Sequence, residues 1–236
     1  MIGGGVSRNP FVICPAIFYE VNTMRKQTIF ALLLCLIVTF AMSGCVKVVE
    51  IGKEDELTGN KKFDAAENVE GLWATQAVPE LKEKAIDLAK LLNESNNGDF
   101  KTVEKYGHYS MGTSGELSFV VKGEGVVQEV NQEKKAGYMT VKLNGYDGQI
   151  AVKLQIGSVY KGSAVRDNLS FIKYEDYTNQ VDWAKISQSI HEVIDRDVVK
   201  TLDLASITGK TISFVGAFSV DKKTEILVTP IEISVK

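Results

Sequence analysis

Residues Met24–Cys45, MRKQTIFALLLCLIVTFAMSGC, constrain this chain more than any other stretch, because they decide on which side of a membrane it folds and which covalent staples it keeps. Arg25 and Lys26 form a short positive start. Ile29–Phe40 is an apolar run interrupted only by Thr39, and Met42-Ser43-Gly44-Cys45 is a small-residue cleavage site ending in cysteine. Together they make the three-part layout of an export signal. The apolar run of about twelve residues is shorter than the about 20 that a helix needs to cross a bilayer's hydrocarbon. Two other readings exist: an ordinary secretory signal that Cys45 merely follows, and a buried core helix. A core helix would not normally open on Arg-Lys and close on Ser-Gly-Cys.

The Ser-Gly-Cys ending resembles the bacterial lipobox, in which the cysteine sulfur receives diacylglycerol and the leader is cut just before it. That predicts lipidation at Cys45 and an extracytoplasmic protein anchored to a membrane, on the periplasmic side or the outer leaflet. Met1–Thr23 shows no helical or strand period, and Met24 is the better start because it puts the charged segment at the N-terminus. An over-extended reading frame is the expectation for these residues, with a genuine extension the alternative.

Removing 44 of the 236 residues leaves 192, enough for one substantial domain or two small ones. Arg8, Arg25, Lys26 and Glu20 leave with the signal, so Lys+Arg falls from 27 to 24 and Asp+Glu from 30 to 29, a net charge of −5. So acidic a chain has no basic face for nucleic acid. Of the three cysteines, Cys14 and Cys35 lie in the removed part. Cys45 remains alone, so no disulfide, cysteine nucleophile or Cys-rich zinc site is expected, and apolar burial must stabilise the fold.

Val46–Ile51 could form a first strand, and the polar Gly52–Lys62 reads as a tether that spans about 35 Å when extended. A short helix is expected over Phe63–Trp73, capped by Asp64 and ending near Gly71. Leu81, Ala85, Leu88 and Leu92 recur at helical spacing behind Pro79, predicting one helix that Asn93–Gly98 terminates. Asp99–Lys105 reads as another short helix, stopped by Gly107. From Glu116 the period becomes that of strands. Glu116–Val130 is either one strand bent at a bulge near Gly123 and Gly125 or two strands. Tyr138–Leu143 and Gln149–Ile156 flank the turn Asn144–Gly148, so at least three antiparallel strands form a meander. A single helical turn is expected at Ala164–Asn168. A longer helix over Asp182–Leu202 follows, with Ser189 and Glu192 spaced to cap a break within it. Thr211–Val220 and Glu225–Val235 close the chain as strands around Asp221–Thr224.

The predicted class is α+β, a small β-barrel with an attached helical subdomain. Residues 1–44 are removed, 45–62 are the lipidated tether, 63–110 are mainly helical, and 111–236 carry the barrel strands with a helical excursion near 164–202.

Four blocks in order, PELKEKAIDLAKLL from Pro79, FVVKGEGVV from Phe119, LQIGSVYKGSAVRDNLSFIKYEDYTNQVDW from Leu154 and GKTISFVGAF from Gly209, resemble the bacterial predicted periplasmic lipoproteins of domain-of-unknown-function family 2291. The resemblance covers essentially all of Cys45–Lys236. It implies an OB-fold-like barrel, lipid on Cys45 and no established activity. Members are often encoded near ribose-type sugar ABC transporters, which implies an accessory role in uptake.

The chemistry inventory is thin. His108 and His191 are the only histidines and have no paired metal-ligand spacing, and no GxSxG elbow is present. Gly209-Lys210-Thr211 ends like a phosphate loop, but position 204 is Leu in place of the first Gly and a strand pattern follows. No cofactor, metal or catalytic residue is expected, and the chain reads as a non-enzyme.

Arg166, Asp167 and Asn168, with Tyr177, Thr178, Asn179 and Gln180, are the most informative polar cluster. A guanidinium, planar amides and aromatic rings are what a saccharide site uses. Arg166, Asp167, Tyr177, Asn179 and Gln180 are the ligand-binding candidates; a local ion pair and a helix cap would explain the same residues structurally. Lys122-Gly123-Glu124-Gly125 reads as a bulge rather than a site. The functional expectation is a binding or accessory lipoprotein linked to a sugar ABC uptake system, whose partner is the transporter, its solute-binding protein or a saccharide. An envelope hydrolase or transferase built on Asp167, Glu175, Asp176 and Asp182, and a purely structural envelope protein, are the alternatives.

Overall fold

The computed structural model describes residues 65–177 and 179–236. The export signal, Cys45, the strand and tether expected over 46–62, Phe63, Asp64 and Thr178 lie outside the described residues.

The chain enters through helix α1, Ala65–Leu72, whose Val69 faces the core. It ends at Leu72, one residue past Gly71 and close to the expected place. A widened π turn, Trp73–Ala77, leads directly into α2, Val78–Lys84, with the Val78 N–H donating to the Trp73 carbonyl. Pro79 supplies a physical reason: it has no N–H to give the preceding turn and its ring crowds that turn's carbonyl, which a local widening relieves.

The helix expected from Pro79 to Leu92 is two helices. Ala85 is extended, at φ −67° and ψ 118°. Ile86–Asp87 forms a short strand, β1, that pairs in parallel with Val121 and Lys122. Helix α3, Leu88–Glu94, then restarts with the Asp87 carboxylate accepting the Lys90 N–H at 2.8 Å. Leu81, Ala85, Leu88 and Leu92 are all buried, so the apolar stripe is real although two helices share it. Asn96, Asn97 and Gly98 end α3 with three successive positive φ angles. A Cβ at Gly98 would lie 2.4 Å from the Lys223 carbonyl oxygen, so that position admits only glycine.

A 3-10 helix, Phe100–Tyr106, opens on the Asp99 side chain. A hairpin that strand periodicity had not indicated follows it. Its arm β2, His108–Tyr109, pairs with the start of β3, Leu117–Asn131. Strand β3 is one continuous 15-residue element. Its register runs unbroken through Gly123 and Gly125; the irregularity falls between Val127 and Glu129, so the expected bulge is displaced. Gly125 instead permits close approach, since a Cβ there would meet the Lys142 carbonyl oxygen at 2.3 Å.

Strands β4, Tyr138–Leu143, and β5, Ala151–Gln155, complete the expected antiparallel meander. After α4, Ala164–Asp167, and a 3-10 turn, Tyr174–Asp176, comes the long helix α5, Gln180–Asp197. It begins two residues before Asp182 because Asn179 caps it, accepting the Asp182 N–H at 2.9 Å. It stops at Asp197 and a separate 3-10 turn covers Val199–Thr201. Ser189 is buried in its continuous interior, so the break expected at Ser189–Glu192 is absent.

Strands β6, Thr211–Ser219, and β7, Glu225–Val235, then close a ring. β3 pairs with β4, β4 with β5, β5 in parallel with β7, β7 with β6, and β6 back with β3. At Gly125 and Val126, β3 pairs on both sides, with β4 and with β6. Sharing one long strand lets five strands close into a ring. Phe100 packs against Phe119 and Phe218 with ring centroids 5.8 and 5.6 Å away, so the helical segment and the barrel share one core.

Candidate functional site

Among the concavities of the described surface, two bear on function. The larger, about 1200 Å³, lies between the β2 hairpin, the loop after α4 and the start of α5; His108, Met111, Arg166, Tyr174, Gln180 and Trp183 are among its lining. The smaller, about 560 Å³, lies between the β3–β4 loop, Gly157-Ser158 and the residues after α5.

The local sequence explains the larger cleft. Helix α4 is one turn long, and its Arg166 side chain folds back on its own neighbour. The guanidinium donates from Nε and Nη2 to Asp167 Oδ1 at 2.8 and 2.6 Å, and from Nη1 to the Trp183 carbonyl at 3.0 Å. It also lies 4.0 Å from the Trp183 ring centre, a cation–π contact. Asp167 accepts a further bond from Ser163 Oγ at 2.7 Å, and the side chains of the pair are only 10% and 4% exposed. Asn168, also buried, donates to Ser118 Oγ and the Ala164 carbonyl. The polar triplet therefore ties α4 to β3 and α5.

The other predicted residues separate. Asn179 is the cap of α5, and its amide also reaches Asp182 Oδ2 at 3.1 Å. Tyr177 packs on Trp183, centroids 5.2 Å apart, and burial together with Asp176 raises its hydroxyl pKa, against a smaller pull down from Arg166. Gln180 is exposed and lines the cleft. Sequence reasoning had not selected Trp183 or Tyr174 for the site, although both line it. Their rings meet edge to face at 5.7 Å and 87°. The only sequence signal was their place within the aromatic-rich YEDYTNQVDW run.

Of the carboxylates grouped for hydrolysis, Asp167 is bound to Arg166 and Asp182 to Lys185 at 2.9 Å. Burial pushes Glu80 up, but hydrogen bonds from Lys84 Nζ and the Ser170 N–H outweigh it and its pKa is lowered, pinning the loop after α4 to α2. His191 stacks on Tyr160, centroids 5.0 Å apart, and burial with a smaller push from Arg166 lowers its pKa to about 4. It is a neutral packing residue there. Among the described residues no group of three or more His, Cys, Asp or Glu side chains is placed to hold a metal ion. Gly209 takes φ +83° and leads into β6 rather than a helix, which is not phosphate-loop geometry.

With this geometry in hand, comparison with known proteins fixes the family. The model of the predicted periplasmic lipoproteins of domain-of-unknown-function family 2291 matches residues 35–234. The chain belongs to that family. Its members are predicted periplasmic lipoproteins, so the chain is a membrane-associated protein of the cell envelope, outside the cytoplasm. No curated protein matches the chain. Among solved structures, it is similar to the crystal structure of an OB-fold protein from Thermotoga maritima MSB8, with a TM-score of 0.59 and 17% identity, covering 75% of this chain and 100% of that one. That likeness and the strand order establish the OB-fold-like class. Among the described residues no helix is long and apolar enough to cross a membrane.

OB-folds in general use the face of their second and third strands and the adjoining loops for ligands. Here those strands are β4 and β5. On them Lys153 lies 4.5 Å from the Tyr138 ring centre and is paired with Glu225 at 2.7 Å. The large cleft lies elsewhere, lined from the β2 hairpin, α4 and α5.

Proposed function

We propose that this family member is held at the membrane by lipid on Cys45 and serves, without catalysing a reaction, as a binding or accessory factor for a sugar ABC uptake system. Its partners on this reading are the transporter, its solute-binding protein or a saccharide. The observation that carries the reading is the large cleft. It brings aromatic rings and a planar amide together, while Arg166 and Asp167, the most buried charges in its wall, are satisfied by each other. Such a wall suits binding better than bond cleavage, because a glycosidase needs one carboxyl group kept protonated and a second placed against the reacting carbon. Asp167, the buried carboxylate of this wall, is instead held in an ion pair.

The test is cross-linking in intact envelopes followed by capture of the lipidated protein. Recovery of a sugar transporter component is expected. Recovery of unrelated envelope proteins only, with no saccharide-induced rise in melting temperature, would remove the sugar assignment.

A further inference from the structure

The cleft is selective in a way that its charges and rings define. Its formally charged lining, apart from His108, is Lys84, Arg166 and Lys173 against Glu116, Asp167 and Glu175, so the charges cancel. Half of them are also engaged within the protein. Lys84 donates to Glu80 at 2.6 Å and to the Asn168 carbonyl at 2.7 Å, and Arg166 holds Asp167. A charged ligand entering here would lose hydration without finding a matching field.

The apolar part of the wall is exposed where a ligand would need it. Among the described residues six large hydrophobic side chains are exposed. Three of them, Tyr106, Met111 and Tyr174, line this cleft, and a fourth, Val181, directly follows Gln180. Exposed apolar surface gathered around one concavity marks a binding site. Tyr174 is 48% exposed and stands at 87° to Trp183, so the two rings form an L-shaped corner.

We infer that this corner binds an uncharged saccharide, with a C–H face against the Tyr174 ring, an edge of the sugar against Trp183 and hydroxyls bonded to the Gln180 amide. Arg166 acts as a positioning residue: it fixes the indole through the ring face and the Trp183 carbonyl. This deepens the binding reading above and rests on it. It differs from the sequence-based expectation in keeping Gln180 and moving the other ligand contacts from Arg166, Asp167, Tyr177 and Asn179 to Tyr174 and Trp183. It also places the site away from the β4–β5 face.

Trp183 makes the test direct, because the other tryptophan, Trp73, is only 6% exposed. The lipidated protein, held in a detergent without a sugar headgroup, is titrated by intrinsic fluorescence. The neutral probes are maltose, cellobiose, ribose and N-acetylglucosamine; glucuronate, glucose 6-phosphate and glucosamine are the charged comparators. A saturable change with a neutral sugar is expected, with affinity at least about tenfold above any charged comparator. Tyr174→Ala, an exposed position, is expected to weaken it by about tenfold without lowering the melting temperature. Trp183→Phe should abolish the signal, and Arg166→Lys should shift the emission maximum of the ligand-free protein and weaken binding. Lys142→Ala, on the exposed side of β4, should leave the titration unchanged.

Silence with every neutral sugar, or preference for a charged one, overturns the inference. So does a signal that survives Trp183→Phe, or one that ignores Tyr174→Ala and responds to Lys142→Ala. If the titration fails while envelope capture still recovers a sugar transporter component, this site is wrong and the accessory role stands. If a sugar binds at the corner but no transporter component is captured, the site stands and the uptake link falls.

Discussion

Arg166 and Asp167 are sequence neighbours, which on a long helix would point apart, yet on the single turn of α4 they face each other. Removing the guanidinium would strand a carboxylate whose side chain is 4% exposed. Arg166→Ala is therefore expected to lower unfolding free energy by about 3–5 kcal/mol, the usual cost of breaking a buried pair from one side. Urea denaturation checks this. His191 offers a pH test. Its pKa is lowered from 6.5 to about 4, mainly by burial, so the unfolded chain binds its proton more readily than the folded one. Stability from this group is complete above pH 6.5 and is lost as pH falls from there towards 4. His191→Phe keeps a ring against Tyr160 and removes the titration. Between pH 7.5 and pH 5 the variant should lose roughly 2 kcal/mol less than the parent in paired denaturation curves. At this scale the sequence displayed the polar cluster but not its pairings, because which donor meets which acceptor depends on where α5 lies.

Among the elements, the division of the Pro79–Leu92 stripe follows from competition between helix continuation and pairing with β3. Two residues leave the helix, join Val121 and Lys122, and Asp87 then caps the restart. Asp87→Ala should cost about 1 kcal/mol, read as a lower melting temperature. The signal for the break was present as an aspartate three residues before Lys90, but spacing of the leucines outweighed it. Strand β3 illustrates the opposite case. Its glycines read as a bulge, whereas the packing uses Gly125 for contact with the β4 backbone. Gly125→Ala is expected to destabilise by about 1–3 kcal/mol, since neither neighbouring carbonyl nor strand can retreat inside a closed ring; thermal unfolding followed by circular dichroism reads it.

For the whole molecule, the anchor and the barrel are separable claims with separate tests. Cys45→Ser should move the protein from the membrane fraction to the soluble extracytoplasmic fraction, and mass spectrometry of the parent should show diacylglycerol on Cys45. The ring should also carry a distinct acid signature. Hydrogen bonds from Lys153 and Lys222, outweighing burial, lower Glu225 to about 2 where β7 begins beside β5. A carboxylate depressed in the folded state contributes stability above about pH 4.5 and loses it as pH falls towards 2. Glu225→Gln should therefore flatten the stability curve between those values in acid titrations of unfolding.

Local pattern was enough to determine the α+β class, the meander and the two closing strands, since each depends on residues close in sequence. Only the tertiary structure decided that β5 pairs in parallel with β7, that β6 returns to β3, and that Tyr174 and Trp183 face one cleft with the β2 hairpin. Those outcomes depend on contacts between segments far apart along the chain. Their energies come from shape and burial in the closed ring, which no periodicity within a single segment can encode.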